Sequence, residues 1–141
     1  MRDPRRLGAV ELDPDETRLG PDAFDLDRKQ LAAITTRSRA PIKAVIMDQA
    51  RIAGLGNLLT DEVLWRAGID PARLANTLET DDIATLHRNI RQTLRTLGRR
   101  GGSHTGDMPR EREAHCPRDG APLLRRTVGG RATFSCPLHQ R

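Results

Sequence analysis

Cys116-Pro117-Arg118-Asp119 and Cys136-Pro137-Leu138-His139 are the stretches that decide how this 141-residue chain ends, and much of the rest follows from them. They are equally spaced four-residue knuckles, each opening with Cys-Pro and closing on a residue able to bind a metal. The sixteen residues between them contain Gly129-Gly130, a pair suited to the tight turn of a β-hairpin. A tetrahedral ion takes two ligand pairs brought together by such a turn, so the segment predicts a small zinc-clamped hairpin. Cys116 and Cys136 would ligate as thiolates, His139 through a ring nitrogen and Asp119 through a carboxylate oxygen, with His115 as a rival for the last position. Four protein ligands with no open position make a structural site, not a catalytic one. The chain has no other cysteine, and in a reducing compartment two cysteines favour metal over a disulfide.

Charge strengthens toward this end of the chain. Residues 85–141 hold twelve basic and four acidic side chains, against six and eight in 1–30 and six and seven in 31–84. Nearly all the cations are arginine, whose planar fork suits bidentate phosphate contacts. A concentrated arginine surface beside a zinc hairpin points to nucleic acid; a merely solvated arginine-rich surface is the other reading. With 36% hydrophobic residues and three aromatics (Phe24, Trp65, Phe134), an aliphatic helical core is expected. No apolar run approaches the roughly 20 residues a membrane helix needs. A monomer in the cytoplasm, associated with the nucleoid, is expected.

Upstream of the hairpin the pattern is helical. Asp27 caps a helix through about Thr36, with Leu31 and Ile34 on its inner face. Pro41 opens a second helix, with Ile42, Val45 and Ile46 at helical spacing, which stops by Gly54. Gly54-Leu55-Gly56-Asn57 is a tight turn into a third helix ending at Ala67-Gly68. Backbone N–H groups at such a helix start can bind phosphate; from spacing alone the turn could as well be a routine join, with Asn57 a cap. Residues 80–98 read as the longest helix, capped by Thr80, with Ile83, Leu86, Ile90, Leu94 and Leu97 inside and Arg88, Arg91, Arg95 and Arg99 along another face. His87 and His104 read as isolated surface residues. Residues 6–12 alternate weakly as one strand, and a polar linker runs from Gly101 to about Ala114.

Taken together these residues resemble the C-terminal portion of the formamidopyrimidine-DNA glycosylase / endonuclease VIII family. Pro41-Ile-Lys43 through Asp48-Gln49, Ala53-Gly-Leu-Gly-Asn57 and Asp61-Glu62 through Pro71 look like that family's helix–two-turn–helix module. Gly130-Arg131 through Cys136-Pro137 looks like its zinc-finger hairpin, and Asp3 through Gly8 like the close of its N-terminal domain. The resemblance implies a mainly α fold: a remnant of the N-terminal β domain over 1–23, a DNA-binding helical domain over 24–102, a linker over 103–114 and a zinc hairpin over 115–141. It implies that Lys43, Asn57 and Arg131 grip phosphates of double-stranded DNA around a damaged base or abasic site. Arg5 would fill the space left by the flipped base.

Departures are equally plain. The family's nucleophile is an N-terminal proline amine followed by a glutamate, whereas residues 2 and 3 here are Arg and Asp. No substitute amine is offered for Schiff-base chemistry. Two zinc cysteines are replaced by Asp119 and His139, and the linker is short where the family often carries a base-contacting loop. The expectation is a damaged-DNA-binding part of a base-excision-repair glycosylase/AP lyase, with no catalytic residue of its own and inert alone. The alternatives are an active enzyme whose other half is supplied separately, and a zinc-stabilised protein-interaction domain.

Overall fold

The computed structural model describes residues 19–97 and 106–141; Arg5, the strand expected over 6–12, Arg99 and His104 lie outside them. Among the described residues, four helices, α1 (Arg28–Thr36), α2 (Ile42–Met47), α3 (Asn57–Ala67) and α4 (Thr80–Thr96), precede a hairpin of β1 (Leu124–Val128) and β2 (Arg131–Ser135), with a 3-10 turn at Ala75–Thr77. This is the expected mainly helical architecture with a terminal hairpin.

The helices start and stop for local reasons. Asp27 accepts from Gln30 N at 2.8 Å while Gln30 Oε1 accepts from Asp27 N at 2.9 Å, a reciprocal cap on α1. Beyond α2, the Gln49 amide ties the turn that follows: its oxygen accepts from Gly54 N at 2.9 Å and its nitrogen donates to Leu55 O at 3.0 Å. The cap of α3 is Gly56, not Asn57, which is already helical. The α3 helix ends at Gly68, whose φ of 74° is the left-handed conformation that closes a helix. The cap of α4 is Glu79 and not Thr80, because Asp82, three residues on, accepts from Glu79 N at 2.9 Å and so fixes the start one residue earlier.

Helix α3 is the centre of the molecule. One side joins an aliphatic core that includes Leu31, Ile46, Leu64, Leu86 and Ile90. The other side supplies Trp65 to a second, smaller cluster with Met108, Cys116, Phe134 and Cys136. The described part of the expected linker, residues 106–114, is anchored near its start: Met108 is 1% exposed, and Glu62 accepts from Asp107 N at 3.1 Å and Met108 N at 3.2 Å. His87 is half-buried, with Nε2 2.7 Å from Leu26 O; it is not a free surface residue.

Strands β1 and β2 pair antiparallel from Leu124↔Ser135 to Val128↔Arg131. The two-residue turn has positive φ at both positions, 62° at Gly129 and 77° at Gly130, the geometry that matches strand twist and favours glycine. Gly129 has a second constraint. A Cβ there would lie 3.0 Å from Ala44 Cβ on α2, whereas one at Gly130 would meet nothing within 4 Å. Gly129→Ala is expected to destabilise by about 1–2 kcal/mol from the left-handed backbone alone, and by more than Gly130→Ala, as read from urea midpoints.

Candidate metal centre and nucleic-acid interface

The two knuckles bring Cys116, Asp119, Cys136 and His139 together with their ligand atoms all within 4.8 Å of one another. His115, the rival, is exposed and sits in a bridge to Pro122 outside the group. The donors are oriented from behind. His139 Nε2 lies 3.0 Å from Trp65 O, an oxygen that only accepts, so Nε2 carries the proton and Nδ1 faces the cluster. Trp65 Nε1 donates to Cys116 Sγ at 3.3 Å, Arg118 N to the same sulfur at 3.4 Å, and Leu138 N to Cys136 Sγ at 3.4 Å.

His139 Nδ1 and Asp119 Oδ2 are 2.8 Å apart. A bare nitrogen lone pair and a carboxylate at that separation repel unless a cation or a second proton lies between them. Two thiols, an imidazole nitrogen and a carboxylate with this orientation fit a four-coordinate divalent ion. Burial raises the Cys136 thiol's pKa, so without an ion it stays protonated.

Asp119 is held at about 2, below its ordinary 3.8, chiefly by the Ala121 N–H and then by His139 and the two cysteines. A carboxyl whose pKa falls on folding contributes stability that is present above the unfolded value and lost as pH drops through the folded one. The metal-free protein should therefore lose stability between pH 3.8 and about 2, and Asp119→Asn should flatten that part of a thermal-midpoint against pH curve.

At the other end of the hairpin the helical and β parts meet at one atom. The carbonyl of Ala132, next to Arg131, accepts from Lys43 Nζ at 3.1 Å and from Asn57 Nδ2 at 3.2 Å. Lys43 also donates to Thr133 Oγ1 at 2.6 Å, and Thr133 Oγ1 donates to Arg131 O at 2.9 Å. The Gly54–Asn57 turn and the hairpin tip are thus adjacent. Arg131 is exposed and pairs with no carboxylate among the described residues.

Lys43 corrects the expectation placed on it. Its side chain is 0% exposed and forms a 2.9 Å ion pair with Asp61, so its ammonium holds the hairpin's backbone and does not reach out to a phosphate. Burial lowers its pKa, and the Asp61 partner opposes that shift. Asp61 is itself a junction on α3. One oxygen faces Lys43; the other pairs with Arg110 and accepts from Phe134 N at 3.1 Å. Arg110 also lies over the Phe134 ring, 4.8 Å from its centroid. Sequence reasoning gave no role to Asp61, Trp65, Glu62 or Arg110, because the hydrogen bonds that tie α3 to the linker and hairpin through them span 45 to 74 positions.

Fold and site together define a helical two-turn module clasped to a cysteine-knuckle hairpin. Residues 19–108 match the formamidopyrimidine-DNA glycosylase H2TH domain, and the chain belongs to that family. The formamidopyrimidine-DNA glycosylase of Roseiflexus sp. (strain RS-1) is 36% identical over an alignment covering 100% of this chain and 60% of that protein. That of Paracoccus denitrificans (strain Pd 1222) is 35% identical, covering 100% and 59%. The chain thus spans about 60% of the length of the curated relatives it matches. Among solved structures, Lactococcus lactis formamidopyrimidine-DNA glycosylase bound non-covalently to DNA containing an AP site superposes with a TM-score of 0.81 at 33% identity, covering 89% of this chain and 51% of that one. MutM in complex with DNA containing carbocyclic 8-oxo-G gives 0.79 at 34% identity, covering 89% and 51%. No helix among the described residues is long and apolar enough to cross a membrane.

Proposed function

We propose that this chain forms the damaged-DNA grip of a base-excision-repair glycosylase/AP lyase, holding the sugar–phosphate backbone of double-stranded DNA at a damaged base or abasic site. The observation that carries the reading is the convergence on Ala132: its carbonyl accepts from Asn57 at the start of α3 and from Lys43, which sets Asn57 beside Arg131, the residue before Ala132 in the hairpin. Asn57 and the free N–H groups at the start of α3 bind one phosphate, and Arg131 binds the same backbone as a charged donor. Lys43 works beneath them as the strut that fixes the hairpin tip. Arg5 contributes from the N-terminal segment to the space left by the extruded base. Zinc held by Cys116, Asp119, Cys136 and His139 is the structural ion that pins the hairpin's base, opposite the grip.

Gel shifts with abasic-site and undamaged duplexes at two salt concentrations test this. The protein is expected to prefer the abasic duplex and to weaken steeply with salt, because bound phosphates release counterions. Arg131→Ala should lower affinity about tenfold and flatten the log–log salt slope by about one unit. Asn57→Ala should lower affinity with little change in slope, since it removes no charge. Absence of binding at low salt rejects the reading.

A further inference from the structure

A site with four cysteines that loses its ion leaves four thiols with several ways to pair. This chain has only two, at the same position of each knuckle, with their sulfurs within 4.8 Å of each other. The other two donors, Asp119 and His139, cannot join a sulfur bridge and already face each other at 2.8 Å. A bridge requires the sulfurs to close from within 4.8 Å to the bond length of about 2 Å. We propose that Cys116 and Cys136 form a modification site: once the metal is gone, a peroxide closes them into an intramolecular disulfide that takes over the metal's task of pinning the hairpin base.

The chemistry balances with hydrogen peroxide as the two-electron oxidant. One cysteine gives up its proton, its thiolate attacks a peroxide oxygen, the O–O bond breaks, and the displaced oxygen takes up that proton as water. The resulting sulfenic acid is attacked by the second sulfur. The S–S bond forms, the S–O bond breaks, and the second thiol's proton leaves with the hydroxyl as another water. The two sulfurs lose two electrons between them and the two peroxide oxygens gain them.

The surroundings favour this product over its competitors. Cys116 is 2% and Cys136 1% exposed, so a thiol of another molecule has no approach to either. A peroxide is little larger than water, and the side chains beside the sulfurs, Asp119 and His139, are 17% and 16% exposed. The neighbouring thiol then consumes the sulfenic acid before a second peroxide arrives. The apolar cluster of Trp65, Met108 and Phe134 around the sulfurs accommodates a disulfide as readily as it does thiols. The hairpin's other ties to the helical part, His139 Nε2 to Trp65 O and Gln140 Nε2 to Ile69 O, involve no sulfur and persist.

The experiment uses the full chain, stripped of metal by a chelator under reducing conditions, freed of reductant and exposed to hydrogen peroxide. Intact mass should show a monomer lighter by two hydrogens, peptide mapping without reductant should join Cys116 to Cys136, and dithiothreitol should reverse both. The thermal midpoint of the bridged form should exceed that of the stripped, reduced form. Zinc-loaded protein should convert at least about tenfold more slowly, since coordination occupies the sulfur lone pairs. Products with two or three added oxygens on separate cysteines, disulfide-linked dimers, or a bridged form that melts below the reduced one would overturn the proposal. The zinc arm alone rests on reading the cluster as a zinc site: if metal analysis finds no bound zinc, that reading fails, while the mass and melting data still decide the bridge.

Discussion

Asp61→Ala is expected to cost about 3–5 kcal/mol, the loss associated with stranding a buried charge. Removing the carboxylate leaves the Lys43 ammonium at 0% exposure without its 2.9 Å partner, and leaves Phe134 N without its acceptor. Arg110, at 12% exposure, is nearer to solvent and escapes most of that penalty by turning outward. Since domains of this size are stable by only about 5–15 kcal/mol, the variant should sit close to its unfolding threshold. Urea denaturation measures the effect. The double variant Lys43→Met/Asp61→Leu separates two explanations, because it removes both buried charges together and replaces them with apolar volume. It should recover much of the loss if the charge is the cause, and none if Asp61 matters only as a spacer.

The second large effect is loss of zinc. Stripping the reduced protein should lower its thermal midpoint by on the order of 10 °C, with one zinc per chain recovered in the released fraction. Isolated zinc fingers owe about 10–16 kcal/mol of apparent binding energy to the ion. Only a fraction appears here, because Asp61, Gln140 and Trp65 hold the hairpin by other means. A loss of about 3 kcal/mol corresponds to roughly that shift for a chain of this length. Asp119→Cys should tighten zinc against a competing chelator, since structural sites favour sulfur over carboxylate oxygen. His139→Ala should weaken it and also free Trp65 O. An unchanged midpoint after complete removal would mean the cluster has no structural role.

What could be read from the sequence is what near neighbours determine. The knuckle spacing places Cys116 with Asp119 and Cys136 with His139, and Gly129-Gly130 dictates the turn that brings the pairs together. Asp27 and Gly68 mark helix ends through contacts within a few residues. The misplaced cap of α4 was readable too: Asp82 lies three residues after Glu79, and that interval alone identifies the first turn. The fate of Lys43 was not readable. Nothing local distinguishes a lysine bound for solvent from one that α2 turns inward, and its partners lie 18, 89 and 90 positions along the chain. Trp65 is a similar case, since an apolar residue on a helix is assigned to the helical core by its period, yet this one points into the hairpin.

The position of Trp65 has a practical consequence. It is the sole tryptophan, and there is no tyrosine to compete with it. Its indole lies against the Cys116 sulfur on one side and the Arg118 guanidinium on another, 5.2 Å from the ring centroid. Intrinsic fluorescence therefore reads the seam between the two halves of the molecule, and ion loading, sulfur bridging and thermal separation can each be followed in unlabelled protein through a single emitter.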